Sequence, residues 1–327
     1  MLRLALLLVA TAASLMPLVA ADSPLVVYCG RKEALVGPLL KQFSTSTGIP
    51  IDVRYNKTPA IAAQLLAEGA QTPADLFYAQ DSGYLGALSG AELLATLPAD
   101  LLAEVDPRFS DPNGRWLGVS GRLRVLVYNT GLNPSSLPTS LHDLADPKWK
   151  GKVGWAPGNA SFQAHVSYLR HRWGEDATRT WLSAVRDNAA RTYPKNSPQV
   201  LAANSGEISL GWVNHYYLHK LKKDGFKAAN YSFPEAGRDG NVLMVSGVGV
   251  VAQSERKPLA LALARFLVSA EAQHQLTTTG FEYPVRPGVA AHEALPALAD
   301  IPLAEVDQQH LTDIGPTLDL LRELELQ

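Results

Sequence analysis

LVVYCGRKEALVGPLLKQFSTSTGIPIDVRY, residues 25–55, decides the fold. LVVYCG is an unbroken apolar strand closed by a glycine, residues 33–43 carry helical spacing, and IDVRY is a second strand. Two strands joined through a helix of that length run parallel in one sheet. Working outward, residues 59–67 predict a helix and ADLFYA a third strand. RLRVLVYNT, KVGWA, ISLGWV and VLMVSGVGVVA predict further strands, and residues 162–173, 176–185, 199–204 and 258–276 predict helices. The alternation specifies an α/β protein with a mainly parallel sheet.

The chain has 327 residues, 46% hydrophobic and 18% charged, which is enough for two cores and speaks against disorder. Its 29 basic and 31 acidic residues give a net charge of −2 with no basic stripe, so nucleic acid is not an expected partner. Upstream of the first strand, MLRLALLLVATAASLMPLVAAD has an early Arg3, an apolar run and small residues ending at Ala21. That pattern predicts a secretory leader over residues 1–21. Cys29 is the single cysteine, which rules out an intramolecular disulfide and a thiolate cluster. Inside LVVYCG it is expected to act as a small apolar residue. Export without disulfides, and without a later apolar run long enough to span a bilayer, predicts a free periplasmic protein.

A chain of this length divides into two lobes. The expected crossings are strand-like segments near residues 121–128 and 242–251, and two extended crossings make a hinge with a ligand cleft between the lobes. The expected division is residues 22–122 plus about 247–297 for the first lobe, and residues 123–246 plus about 298–327 for the second.

GWVNHYYLHKL, residues 211–221, sets Tyr216 and Tyr217 side by side where a strand turns into a helix. At such a corner a phenolate oxygen meets unpaired N–H groups. A free phenol titrates near about 10, so a strongly acidic cation must displace its proton at neutral pH, and hard trivalent iron prefers such oxygen donors. Packing on a helix face is the plain alternative for the pair. His215 and His219, four apart, suit zinc or copper only as an incomplete site. APGNASFQAH, residues 156–165, is a Gly/Asn/Ser loop entering a helix, where N–H groups with Asn159 and Ser161 suit a small anion or simply cap the helix. No P-loop, G-x-S-x-G, H-E-x-x-H or strand-borne G-x-G-x-x-G occurs, so an enzyme is not expected.

LVVYCGRKEALVGPLLKQFSTSTGI, TPADLFYAQDSG, GVSGRLRVLVYNT, DPKWKGKVGWAP, YPKNSPQVL, VNHYYL and FEYPVRPG, in that order, resemble the bacterial periplasmic ferric-iron-binding proteins that supply iron ABC transporters. The resemblance implies a two-lobed periplasmic binding protein fold, type II-like, with a cleft closed by a hinge. It implies a monomer that takes Fe3+ with a synergistic anion, carbonate or phosphate, to an inner-membrane permease. It assigns Tyr216 and Tyr217 to the metal and Asn159, Ala160, Ser161, Asn196 and Asn214 to the anion. Arg122, and less directly Arg286, match arginines near the site. The chain departs from the pattern after the first strand, where Arg31-Lys32 stand for a histidine, and after the third, where Gln80 stands for a carboxylate. Phe162 occupies the place of a third tyrosine found in another subgroup. The first lobe then supplies either no direct ligand or only Asp81, and Arg31 serves as an anion partner or as a solvated helix-start residue. Two rivals remain open: a binding protein for a small oxyanion or organophosphate without metal, and a hydrolase or metal-dependent enzyme built on His215 and His219.

Overall fold

Strand β1, Leu25–Cys29, is buried along its whole length, as a strand covered on both faces must be. Helix α1, Glu33–Thr47, carries the chain back to β2, Ile51–Tyr55, which pairs with β1 in parallel from Leu25↔Ile51 to Cys29↔Tyr55. Helix α2, Thr58–Glu68, leads to β3, Leu76–Ala79, parallel to β1 on its other side. The expectation for residues 25–55 therefore holds strand for strand. Helix α1 outruns its expected end at Phe43 and stops before Gly48, whose φ of 73° is the left-handed turn that glycine takes without steric cost. This computed structural model describes residues 23–311 and 313–327; the leader expected over residues 1–21 lies outside the described residues.

Next come helix α3, Ser82–Gly90, and the short α4, Ala99–Leu102, neither of which the apolar pattern announced. The long strand β4, Leu117–Asn129, follows, then β5, Val153–Trp155. Helices α5, Ala160–Trp173, and α6, Glu175–Asp187, precede the two-residue β6, Arg191–Thr192, and helix α7, Asn196–Ser205. Strand β7, Leu210–Asn214, enters helix α8, Tyr216–Leu221, and β8, Ala228–Tyr231, and β9, Leu243–Val250, follow. Helices α9, Lys257–Leu267, α10, Ala270–Gly280, and α11, Ile314–Glu323, complete the chain. The single helix expected over residues 258–276 is thus two. The Ser269 side chain accepts the Ala272 amide and starts α10 afresh, a cap that apolar periodicity does not register.

The sheet order is β2-β1-β3-β9-β4-β7-β5-β6, with β8 beside the end of β4, and the mainly parallel sheet expected is instead mixed: β1 is parallel to β2 and β3, and β5 to β6 and β7, while β9 is antiparallel to β3 and β4, and β4 to β7 and β8. Residues Leu117–Leu123 of β4 pair with β9, and Arg124–Tyr128 pair with β7. One strand therefore passes from the first half of the sheet into the second at Leu123–Arg124, with β9 antiparallel alongside it. The switch of partner at Leu123–Arg124 lies within residues 121–128, and β9 lies within residues 242–251. The second lobe packs around edge-to-face aromatics: Phe162 lies 5.0 Å from Trp212 and 5.8 Å from Trp155, centroid to centroid. Phe162, where a third tyrosine would stand, is a core residue with no exposure. Cys29 is fully buried, and burial pushes its thiol up to about 12, so it behaves as the apolar filler expected. Among the described residues no helix is long and apolar enough to cross a membrane.

Candidate metal and anion centre

The last pair of the β7–β4 ladder, Asn214↔Arg124, brings the chain to the hinge, and His215 locks it there. Its Nδ1 accepts the Leu123 amide at 3.0 Å and its Nε2–H donates to the Phe281 carbonyl at 2.7 Å. Burial holds the ring neutral, with its pKa lowered to about 4. Both ring nitrogens are thereby spent on backbone, and His219 stacks on Phe281 at 5.2 Å. His215 is a clamp with no ring nitrogen left for zinc or copper, so the pair expected from the i, i+4 spacing has lost one of its two donors.

Immediately after the clamp, Tyr216 and Tyr217 start α8 with their rings stacked, centroids 4.3 Å apart at 29°. Both line a cavity of about 140 Å3 together with Arg31, Lys32, Gln80 and Lys220. Tyr217 also lines an adjoining cavity of about 290 Å3 that Gln80 borders from the first lobe and Asn159 and Ala160 from the second. The pair thus faces the groove between the lobes. Each ring carries a lysine on its face: Lys32 Nζ is 4.9 Å from the Tyr217 centroid and Lys220 Nζ is 5.0 Å from that of Tyr216. Burial, and then the neighbouring Tyr216, raise the Tyr217 phenol well above its ordinary value. With only protein around it Tyr217 keeps its proton, and a cation must supply the energy to remove it.

Beside the phenols lies an unbalanced set of donors. Asn159 caps α5 by accepting the Ser161 amide at 3.0 Å, so the plain capping role is real. Ser161 Oγ receives Arg122 Nη1 at 2.9 Å, Gln80 Nε2 at 3.1 Å and Asn214 Nδ2 at 3.2 Å. Three donors crowd a hydroxyl that has two lone pairs. Arg122 Nε and Nη2 and Asn196 Nδ2 have no partner although both side chains are buried. Arg124, two residues on, gives Nη1 to Asn214 Oδ1 and Nη2 to the Trp212 carbonyl, each at 3.0 Å. Burial and the adjacent Arg122 charge press it down to about 9. Orphaned buried donors are rare and costly, and two neighbouring buried guanidiniums more so. The two carboxylate oxygens of Asp81, which feel the Arg122 charge, are likewise unpartnered, and the remaining donors are open to a further acceptor.

The first lobe corrects part of the sequence reading. Arg31 is neither solvated nor free to clasp an anion with its whole fork: it is 4% exposed, and its Nη2 is paired with Glu282 Oε1 at 2.5 Å. Its Nε has no partner. Burial works to raise the Glu282 carboxyl, but the Arg31 and Arg122 charges outweigh it and hold the group below its usual range. Glu282 Oε2 accepts from Ser120, which shares a hydrogen bond of 2.6 Å with Ser246. Asp81 is fully buried at the start of α3, where the Gly83 and Tyr84 amides approach it without the alignment of a cap. Burial pushes its carboxyl up to about 6 against the pull of Arg122. It does not line either cavity, and neither do Arg122, Ser161, Asn196 and Asn214, which lie buried behind the lining, nor Arg286, which pairs with Glu104 and donates to the Val268 carbonyl at 3.0 Å. Sequence reasoning missed Glu282, although it lies inside the quoted FEYPVRPG, and passed over Arg124, Lys195 and Lys220. Among the described residues no three His, Cys, Asp or Glu side chains cluster as a metal site, which leaves phenolic oxygen as the distinctive donor.

Residues 71–313 match the family model for bacterial extracellular solute-binding proteins. The Fe(3+)-binding periplasmic protein of Serratia marcescens is 36% identical over 297 residues, covering 89% of this chain and 87% of that one. The major ferric iron-binding protein of Neisseria gonorrhoeae is 30% identical over 95% of this chain and 96% of its own. Among solved structures, iron-bound HitA from Pseudomonas aeruginosa gives a TM-score of 0.87 at 31% identity, covering 92% of this chain and 99% of that one.

Proposed function

The chain belongs to the bacterial extracellular solute-binding proteins, and from that premise we propose that it captures ferric iron with a synergistic anion in the periplasm and delivers it to an ABC transporter permease. The observation that carries this reading is the stacked Tyr216–Tyr217 pair facing the interlobe groove. Full-length relatives named for ferric iron support it. The metal-free oxyanion reading leaves two stacked phenols without a task, and those relatives do not favour it.

The chemistry follows from charge. Fe3+ that displaces both phenol protons retains one positive charge, in a pocket where Arg122 and Arg124 are already buried side by side. A cation alone is repelled there, and the anion makes the site work. Carbonate or phosphate would take the free Arg122 Nε and Nη2, Asn196 Nδ2 and the hydroxyl of Ser161, at the loop through Asn159 and Ala160. Asn214 holds Ser161 and Arg124 in place. Gln80 closes over Ser161 from the first lobe; Asp81 stays behind it, a charge balance for Arg122 rather than a ligand. Closure is a rotation on β4 and β9, with residues 22–122 and about 247–297 moving against 123–246 and about 298–327.

Titration of the metal-free protein with ferric citrate tests the reading. A phenolate-to-iron absorption band is expected, and it should vanish in the Tyr216→Phe/Tyr217→Phe double variant. Absence of the band in the wild type, or its survival in the double variant, rejects it.

A further inference from the structure

Away from the phenols, the 3-10 turn Gln308–Leu311 packs at once on α3 of the first lobe and α5 of the second. It is tied to α5 through Asp313, whose carbonyl accepts Ser167 Oγ at 3.1 Å and whose carboxylate accepts Arg170 Nη1 at 3.1 Å. Against α3 it packs so closely that a Cβ added at Gly83 would stand 2.6 Å from the Leu311 carbonyl oxygen. Leu311 and the neighbouring Ile314 are buried. Beside the turn a cavity of about 370 Å3 is lined by Ser89, Asp111 and Trp116 from the first lobe and by His171, His310 and Asp313 from the second. The His171 and His310 rings stack there, 4.6 Å apart at 15°. Iron capture at the phenols gives neither ring a task.

The charges around the pair are shared or already taken up. Asp313 Oδ2 lies 3.7 Å from His171 Nε2 but also holds Arg170, which reaches Glu175 at 2.6 Å. Asp307 acts on His171 from the start of the turn. From the first lobe, Asp111 accepts Ser89 Oγ at 2.7 Å and the Asn113 and Arg115 amides at 3.1 Å, and the Arg115 guanidinium stands 3.5 Å from Glu92. A neutral pair can stack in this setting, whereas a doubly protonated pair sets like charges face to face beside Arg170. We propose that the His171–His310 stack is an acid-sensitive wedge between the lobes. Neutral, it keeps the turn seated against α3 and α5 and the lobes in contact; charged, it drives the turn off α3 and loosens the closed form. Burial, and then the His310 charge, hold His171 below its ordinary value against the pull of Asp313 and Asp307. That direction fixes the sign: the seated turn is fully favoured above the ordinary histidine range, near about 6.5, and loses ground as pH falls through it. The wedge goes beyond the ferric reading, and only the iron-release arm of its test rests on that reading.

His310 is half-buried, and His310→Phe leaves a flat ring on His171 that takes no proton. Metal-free wild type and variant would be compared by hydrogen exchange at about pH 7.5 and about pH 5.5, corrected for the intrinsic exchange rate. Protection of the turn and of the facing first turn of α3 should fall about fivefold more on acidification in wild type, the size of one like-charge contact at this separation in water. Loss of iron to a competing chelator should likewise quicken with acid about fivefold more in wild type than in His310→Phe. His171→Phe, which removes the charge from the other side of the stack, should match His310→Phe, and unchanged urea midpoints at neutral pH check that both variants fold. Acid responses of the exchange within about twofold of wild type in both variants overturn the wedge, whatever iron does. A turn that loosens with acid while iron loss stays alike in all three proteins overturns its action on the lobes. A wild type without a phenolate-to-iron band overturns the ferric reading instead, and the wedge then stands or falls on the exchange alone.

Discussion

At the scale of single residues, two buried carboxylates of the first lobe, Glu282 and Asp81, make opposite, separable predictions. Glu282 is held below the usual carboxylate range by Arg31, so its contribution to stability is complete at neutral pH and disappears as the solution is acidified through that lowered value. Glu282→Gln strands the Arg31 charge in the interior and should cost about 3 kcal/mol in urea unfolding at pH 7. The gap to wild type should close only as the solution is acidified below the ordinary carboxylate range. Asp81 is raised to about 6, so its ionised form is a cost to the fold above that pH, and the cost fades as pH falls from about 6 toward 4. Asp81→Asn should therefore stabilise the metal-free protein by about 1–3 kcal/mol at pH 7.5 and leave it unchanged at pH 4, by the same unfolding measurement. If Asp81→Asn also removed iron binding, the carboxylate would be a ligand after all. The sequence made the adjacent phenols and Arg122 legible because each sits in a contiguous motif. Glu282 was not legible as the partner of Arg31, for the two are 251 residues apart and meet only when the last sheet crossing is made.

At the scale of elements, the longer strands showed through, while the short β6 and β8 and the helix ends did not. LVVYC and LFYA are apolar enough to be read directly, because strands buried inside a sheet covered on both faces need no polar face, whereas the partly exposed edge strand IDVRY shows by its alternation of apolar and charged residues. Helix α3, SGYLGALSG, escaped notice because its glycines and serines dilute the apolar repeat, and tertiary packing forms it regardless. The split between α9 and α10 escaped because apolar spacing runs through the break while a capping hydroxyl makes it. Ser269→Ala should lower stability by about 1 kcal/mol, read as a shift in the urea midpoint with unchanged slope. A change well below that would mean that packing against α1, not the cap, sets the start of α10.

For the whole molecule, the question is what holds the two halves together once cargo is bound. In the proposed closure β4 and β9 carry the rotation, and their pairing does not choose a position for the lobes. The choice falls to bonds that exist only when the lobes meet, and two are visible across the groove. Gln80 Nε2 reaches Ser161 Oγ at 3.1 Å, and Tyr84 Oη donates to Gln163 Oε1 at 2.8 Å, from α3 to α5. The first touches the anion pocket, so its loss would mix binding with closure. The second does not, because Gln163 is anchored separately by its Nε2 on the Pro157 carbonyl at 3.2 Å. Tyr84→Phe therefore removes closure energy alone. A neutral hydrogen bond is worth about 0.5–1.5 kcal/mol, so iron loss to a competing chelator should quicken by about two- to tenfold, with the position of the phenolate-to-iron band unchanged. An unaltered rate would mean that the charges in the groove, and not the α3–α5 contact, decide how long the lobes stay shut.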